Sequence, residues 1–299
     1  NEGPDGIAPL RLPPADSLLY PSPGDRLITY AKAPSGTRLR FATSSPSITV
    51  ALAISAREGD THRVEITSGG RTISSARLTP DDRDVTLALQ PSARQAKSTY
   101  DLWLPQGPPT SVSSLEVASG HTLEPAEDHR RRWLAYGSSL TVGWEAAGPT
   151  STWPAVAALA TDTCLLNMGL DGQCHLDPAI ALVVRDQTTD IITLELGINV
   201  YGDSSLNART YPAAVIGFVR IIREHHPLTP IGVITPIGSP DRERNENAVG
   251  CTLEHYRQMT RDAVERLTRH GDEHLYLFEG PNLLSTEESN LLVDGLHPG

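Results

Sequence analysis

The chain has 299 residues, 38% of them hydrophobic and 20% charged, and a net charge of −11 at neutral pH. This composition excludes wholesale disorder and fibrous structure, and the length suits about two domains. So acidic a chain is a poor general partner for nucleic acid or an anionic membrane, and no apolar run approaches the ~18 residues of a membrane-spanning helix. Residues 1–130 carry a net charge of −2 and residues 131–299 a net of −9, so a site in the second half would sit in an acidic body. Cys164, Cys174 and Cys251 form no CxxC, which argues against a disulfide framework and favours a reducing, cytoplasmic setting. The N-terminal NEGPDGIAPL has neither the basic start nor the apolar stretch of a signal peptide.

From about residue 27 to 119 apolar residues recur with a period of two. Ile48, Val50, Leu52 and Ile54 alternate with small or polar residues, as do Val64 and Ile66, then Val85, Leu87 and Leu89, then Tyr100, Leu102 and Leu104. Turn signals such as Gly69-Gly70 and Pro80-Asp81-Asp82 separate the runs. Short, closely spaced strands predict an all-β sandwich, jelly-roll-like, over residues 1–128. The polar stretch 121–131 reads as a linker.

Beyond it the rhythm changes. The pattern predicts a strand over 132–136 leading into a small-residue turn. A helix over 151–162, a strand over 164–168 and a helix over 177–186 follow. Next come an apolar strand over 190–196, an amphipathic helix over 210–226, a buried strand over 230–237, a helix over 253–270 and a last strand over 275–278. Apolar strands alternating with helices predict an α/β domain over 129–299, its parallel sheet covered on both faces.

Ligands of such sheets bind at the carboxyl ends of the strands. Those ends carry Gly137-Ser138-Ser139-Leu140-Thr141, then Asn167-Met168-Gly169-Leu170-Asp171-Gly172, then Gly197-Ile198-Asn199, and finally Asp294-Gly295-Leu296-His297-Pro298. A hydroxyl, glycine-flanked backbone, an amide and an Asp–His pair are the parts of a nucleophilic acyl-transfer site. A serine is a weak nucleophile until a histidine takes its proton, and a carboxylate must orient that histidine. Donors must meet the oxygen that becomes negative. Taken singly, each of these residues is ordinary turn or cap chemistry.

Together, the four stretches resemble, in order and spacing, blocks I, II, III and the C-terminal DxxH block of the SGNH, or GDSL, hydrolases. The resemblance covers 131–299. It implies a flavodoxin-like three-layer α/β/α fold without a metal, Ser139 as nucleophile, and Asp294 and His297 as its partners. It further implies an oxyanion hole from the Ser139 and Gly172 N–H groups and the Asn199 side chain, with Gly169 a competitor for the Gly172 role. Two positions depart from the family pattern: Ser138 replaces the block I Asp, leaving local hydrogen bonding in doubt, and Val200 replaces the Asp that commonly follows the block III Asn. The G-x-S-x-G elbow of α/β-hydrolases is absent, because Thr141 stands at the second Gly. A β-sandwich ahead of such a domain is similar to the layout of some carbohydrate esterases. It also resembles a group of bacterial proteins that includes a salicylyl acyltransferase from a tetracycline pathway.

The expected activity is acyl transfer through an acyl-Ser139 intermediate. The expected partners are a small-molecule acyl donor or ester and a hydroxyl acceptor, either water or an alcohol, as in natural-product biosynthesis. Tyr201 and His175 are candidate substrate contacts. Trp144, Trp153 and Cys174 default to packing, His225 and His226 to a helix C-terminus, and residues 241–247 to a solvated loop or a mobile rim. No HExxH, clustered Cys/His spacing, P-loop or G-x-G-x-x-G is present, so no metal or nucleotide cofactor is expected. The rival reading is a carbohydrate-binding protein with an incidental hydrolase domain, although aromatics make up only 5% of the chain.

Overall fold

The computed structural model describes residues 2, 3, 6–58, 60–91 and 96–299. Two-residue strands β1 (Glu2–Gly3) and β2 (Gly6–Ile7) pair at the start of the chain. The chain then forms helix α1 (Arg26–Ala31), where the period-two reading expected the strands to begin. Leu27 and Ala31 are four apart, which puts them on one helix face, and both are buried. With Leu12 and Tyr20 they enter the core of the α/β half, not of the sandwich.

The sandwich strands follow. They are β3 (Arg38–Thr43), β4 (Ser47–Ile54), β5 (His62–Ser68), β6 (Arg71–Leu78), β7 (Asp84–Ala88), β8 (Ser98–Trp103), β9 (Thr110–Val117) and β10 (Glu124–Pro125). One sheet has the order β1-β2-β9-β4-β7, the other β10-β3-β8-β5-β6. Strand β4 buries every second residue. Its Ile48, Val50 and Leu52 share a core with Val64, Ile66, Tyr100 and Leu102 of the facing sheet.

The α/β half contains β11 (Arg132–Gly137), α2 (Ser139–Val142), α3 (Trp153–Thr161), β12 (Cys164–Gly169), α4 (Pro178–Arg185) and β13 (Ile191–Glu195). It continues with α5 (Ile198–Asp203), α6 (Tyr211–Arg223), β14 (Ile231–Ile234), α7 (Leu253–Arg269) and β15 (Leu275–Phe278). The sheet is parallel, in the order β12-β11-β13-β14-β15. This is the 2-1-3-4-5 order of flavodoxin-like sheets. Strand β14 ends earlier than the pattern predicts, short of Pro236, which cannot donate to a ladder.

Helices α4, α6 and α7 cover one face with the main core. On the other face, α3 and Trp103 of β8 pack on Trp133, Ala135 and Leu165 of β11 and β12. Over β15, Tyr276 and Phe278 are each 49% exposed.

Sandwich and α/β half are bonded together around the segment after α2. The Ser35 hydroxyl donates to the Val142 carbonyl at 2.9 Å, and the Gln106 amide to the Ala146 carbonyl at 2.9 Å. Glu65 accepts from the Thr150 N–H at 3.0 Å and its hydroxyl at 2.6 Å.

Candidate active site

The nucleophile candidate sits where β11 turns into α2. Ser138 is the N-cap of this short helix, its hydroxyl accepting from the Leu140 N–H at 3.1 Å. Ser139 is the first helical residue, so its backbone N–H has no helical acceptor. The Ser139 Oγ lies 2.7 Å from His297 Nε2. On the other side of the ring, Nδ1 lies 2.8 Å from Asp294 Oδ2. With Nδ1–H donated to the carboxylate, Nε2 carries the lone pair that faces the serine.

The Asp294–His297 turn closes on itself. Asp294 Oδ1 accepts from the His297 N–H at 2.8 Å and the Leu296 N–H at 3.0 Å. Partial desolvation pushes the Asp294 pKa up, but these bonds and the His297 ring outweigh it and hold the carboxyl down at about 2. The turn is braced by Ser239 and by Arg242, the latter in the segment 241–247 expected to be a solvated loop or a mobile rim. The Ser239 hydroxyl donates to the Gly295 carbonyl at 2.7 Å, and Arg242 reaches the same oxygen at 3.3 Å. Glu243 of this segment pairs with the buried Arg257 at 2.5 Å. Such a brace was invisible in the sequence, because DRERNEN reads as surface charge.

Gly172 has φ +60°, a conformation L side chains rarely adopt, and the Arg26 guanidinium lies 3.0 Å from where a Cβ would be. Asn199 lies in the first turn of α5, and its Oδ1 accepts from the Cys174 N–H at 3.0 Å. That bond leaves the Asn199 NH2 as the group available to donate outward. Cys174 is buried, its thiol donating to the Glu195 carbonyl.

Tyr201 and His175 are engaged elsewhere. The Tyr201 hydroxyl donates to the Asn245 carbonyl at 3.1 Å, and its ring meets Tyr256 edge-on. His175 bridges the Gly172 carbonyl, the Ser205 hydroxyl and Asp203, all within 3.2 Å. Neither is among the residues lining the cleft beside His297.

A cleft of about 780 Å³ opens on the His297 side. The sandwich supplies Ser55, Arg57, Asp60 and His62, and the α/β half supplies Trp144, Glu145 and Asp171 with the Asp294–His297 pair. Burial pushes the Asp171 carboxyl up, against the pull of His297 and Arg26. Among the described residues, no group of three or more His, Cys, Asp or Glu is arranged to hold a metal ion, and no helix is long and apolar enough to cross a membrane.

Residues 130–299 match the model of the GDSL-like lipase/acylhydrolase family, more than half of the chain. The chain belongs to this family. Residues 1–108 match a second model, the N-terminal domain of SsfX3. Among solved structures, the chain is similar to the salicylyl acyltransferase SsfX3 of a tetracycline biosynthetic pathway. The two share 27% identity with a TM-score of 0.87, over 98% of this chain and 85% of that one. A GDSL-like protein from Bacteroides ovatus follows at 20% identity and TM-score 0.78, covering 100% of this chain and 88% of its own. A family two carbohydrate esterase from Clostridium thermocellum shares the fold at 13% identity and TM-score 0.59, over 81% of this chain and 80% of that one. No protein of curated function matches the sequence.

The likeness to SsfX3 runs through both parts of the molecule. The chain is thus an ester hydrolase or acyltransferase of the GDSL family, and a carbohydrate-binding protein with an incidental hydrolase domain is the less supported reading.

Proposed function

We propose that Ser139, His297 and Asp294 form the catalytic triad, with residues 129–299 as the catalytic domain and 1–128 as an accessory β-domain. The observation that carries this is the unbroken chain Ser139 Oγ–His297–Asp294, with links of 2.7 and 2.8 Å, at the carboxyl end of a parallel sheet. His297 Nε2 takes the Ser139 proton as Oγ forms its bond to the ester carbonyl carbon. The carbonyl oxygen becomes negative and is met by the Ser139 and Gly172 N–H groups and the Asn199 amide. The tetrahedral centre collapses, the bond to the alcohol oxygen breaks, and His297 returns its proton to that oxygen. Water or a second alcohol then takes the acyl group from Ser139 by the same steps in reverse.

The alcohol lies on the His297 side, since it is His297 that protonates it, and the cleft there is walled by both halves of the molecule. A cleft shaped by two domains supports a small-molecule alcohol as acceptor, in keeping with the natural-product acyltransferase the chain resembles. Three unpaired thiols, Cys164, Cys174 and Cys251, fit a reducing, cytoplasmic compartment.

The test is a fluorophosphonate probe followed by peptide mapping. The expected adduct is on Ser139 and is absent in His297→Ala. Ser139→Ala should lower ester turnover by about 10⁴-fold or more. A folded wild-type protein that forms no adduct at Ser139 rules out the triad. Product analysis with and without an added alcohol separates transfer from hydrolysis.

A further inference from the structure

The family pattern places an Asp immediately before the nucleophile, and this chain has Ser138 there. A carboxylate nevertheless lies under the turn, supplied by a neighbouring strand. Glu195 ends β13 and is only 4% exposed. Its Oε2 accepts from the Ser138 N–H at 2.8 Å and from the Ser138 hydroxyl at 2.7 Å. The Thr141 hydroxyl reaches the same oxygen at 3.4 Å. One oxygen thus ties down the residue before Ser139 and the residue two after it. The Ser138 hydroxyl also passes the restraint on, by accepting from the Leu140 N–H.

Gly137 makes room for this arrangement. A Cβ there would lie 2.1 Å from Thr141 Oγ1 and 2.7 Å from Glu195 Oε2, so any larger residue would push the carboxylate out from under the turn. The arrangement is expensive for the fold. Glu195 Oε1 is buried without a hydrogen-bond partner, and an orphan buried oxygen of a carboxyl group costs stability. Local rules broken at a cost, beside a reacting group, are characteristic of functional positions.

We infer that Glu195 is a positioning residue for Ser139. It touches neither substrate nor the reacting atoms. It fixes the turn that aims Oγ at His297 Nε2 and the Ser139 N–H at the developing oxyanion. The inference rests on the triad assignment above.

The experiment compares Glu195→Leu and Glu195→Gln with wild type. It reads Tm, kcat and KM for a nitrophenyl ester, and the rate and final stoichiometry of fluorophosphonate labelling at Ser139. Expected for Glu195→Leu is a fall in kcat of about 10–100-fold, from a nucleophile displaced by up to ~1 Å. KM should stay within about threefold, and labelling should be slowed by the same factor as kcat yet still reach full stoichiometry. Tm should fall by several degrees, because the buried Ser138 and Thr141 donors lose their acceptor; the unchanged KM and the full labelling stoichiometry separate positioning from a merely structural role. Glu195→Gln keeps an acceptor oxygen and should recover part of the rate.

A folded Glu195→Leu protein with kcat within twofold of wild type overturns the inference. So does a loss of activity matched by partial labelling, which marks misfolding. If the leucine variant does not fold, Glu195→Gln decides: a kcat lowered threefold or more at unchanged KM supports positioning, and wild-type kcat overturns it. Absence of labelling in the wild-type protein defeats the triad itself and this inference with it, a result distinct from normal wild-type labelling with unchanged variants.

Discussion

Asp294 faces the solvent more than His297 does, yet it is the better fixed of the two, because its two oxygens accept from two backbone N–H groups and the imidazole. Replacing it by Asn keeps the shape but offers the ring an ambiguous partner, so Asp294→Asn should lower kcat by about 10³–10⁴-fold with the fold intact, measured by steady-state kinetics and circular dichroism. Its carboxyl is held at about 2, below the usual ~3.9. A depressed carboxylate stabilises the folded state above its unfolded value and loses that contribution as pH falls through the folded one. Acid unfolding between about pH 4 and 2 should therefore be shallower in Asp294→Asn than in wild type, and Asp294 should not contribute to any activity change above pH 4. Asn199→Ala removes one donor from the oxyanion and should cost about 10²-fold in kcat with KM little changed. Ser139, Gly172, Asn199, Asp294 and His297 were open to proposal from the sequence because each sits in a short, local turn motif that resembles a block of the family. Glu195 was not. It looked like one polar letter in an apolar strand, and its meaning depends on Ser138, 57 residues earlier. Ser239 and Arg242 escaped notice for the same reason, since they act on Gly295 across more than 50 residues.

At the scale of elements, the segment between α2 and α3 carries Trp144 and Glu145 into the cleft, and the sandwich holds that segment at three points. Glu65 on β5 is the strongest of these, because it satisfies both the backbone and the hydroxyl of Thr150. Glu65→Ala leaves the Thr150 N–H buried and unpaired, while the Thr150 hydroxyl keeps the Thr72 hydroxyl 2.9 Å away, at a cost of roughly 1–3 kcal/mol. A fall in Tm of several degrees, with a rise in KM for bulky alcohols larger than for methyl esters, is the expected outcome in scanning calorimetry and ester kinetics. Element types in the α/β half were predicted well because 3.6-residue and continuous apolar patterns are strong there. The failure came at α1, where Leu27 and Ala31 sit beside the sandwich in sequence but face the other core. A period-two reading cannot see which core a side chain will join.

At the scale of the molecule, the two halves are not separable at the linker. Leu12, Tyr20, Leu27 and Ala31 are buried in the α/β core, and burial of each large side chain is worth roughly 1.5–3 kcal/mol. A chain comprising residues 129–299 should be unstable or insoluble and should lack esterase activity, whereas the full chain unfolds with both halves together; thermal melts and hydrogen exchange on both proteins check this. The same topology sets an order of events during synthesis. Arg11 donates to the carbonyl of Gly169, 158 residues further along. A ribosome adding about 5–20 residues per second needs roughly 8–30 s to produce that acceptor after Arg11 has been made. Through that interval the sandwich strands can already pair, while the apolar residues before and within α1 wait in solvent for a core that has not yet been translated. The stretch from Leu12 to Ala31 is thus made before β3 to β9 yet finds its place after them.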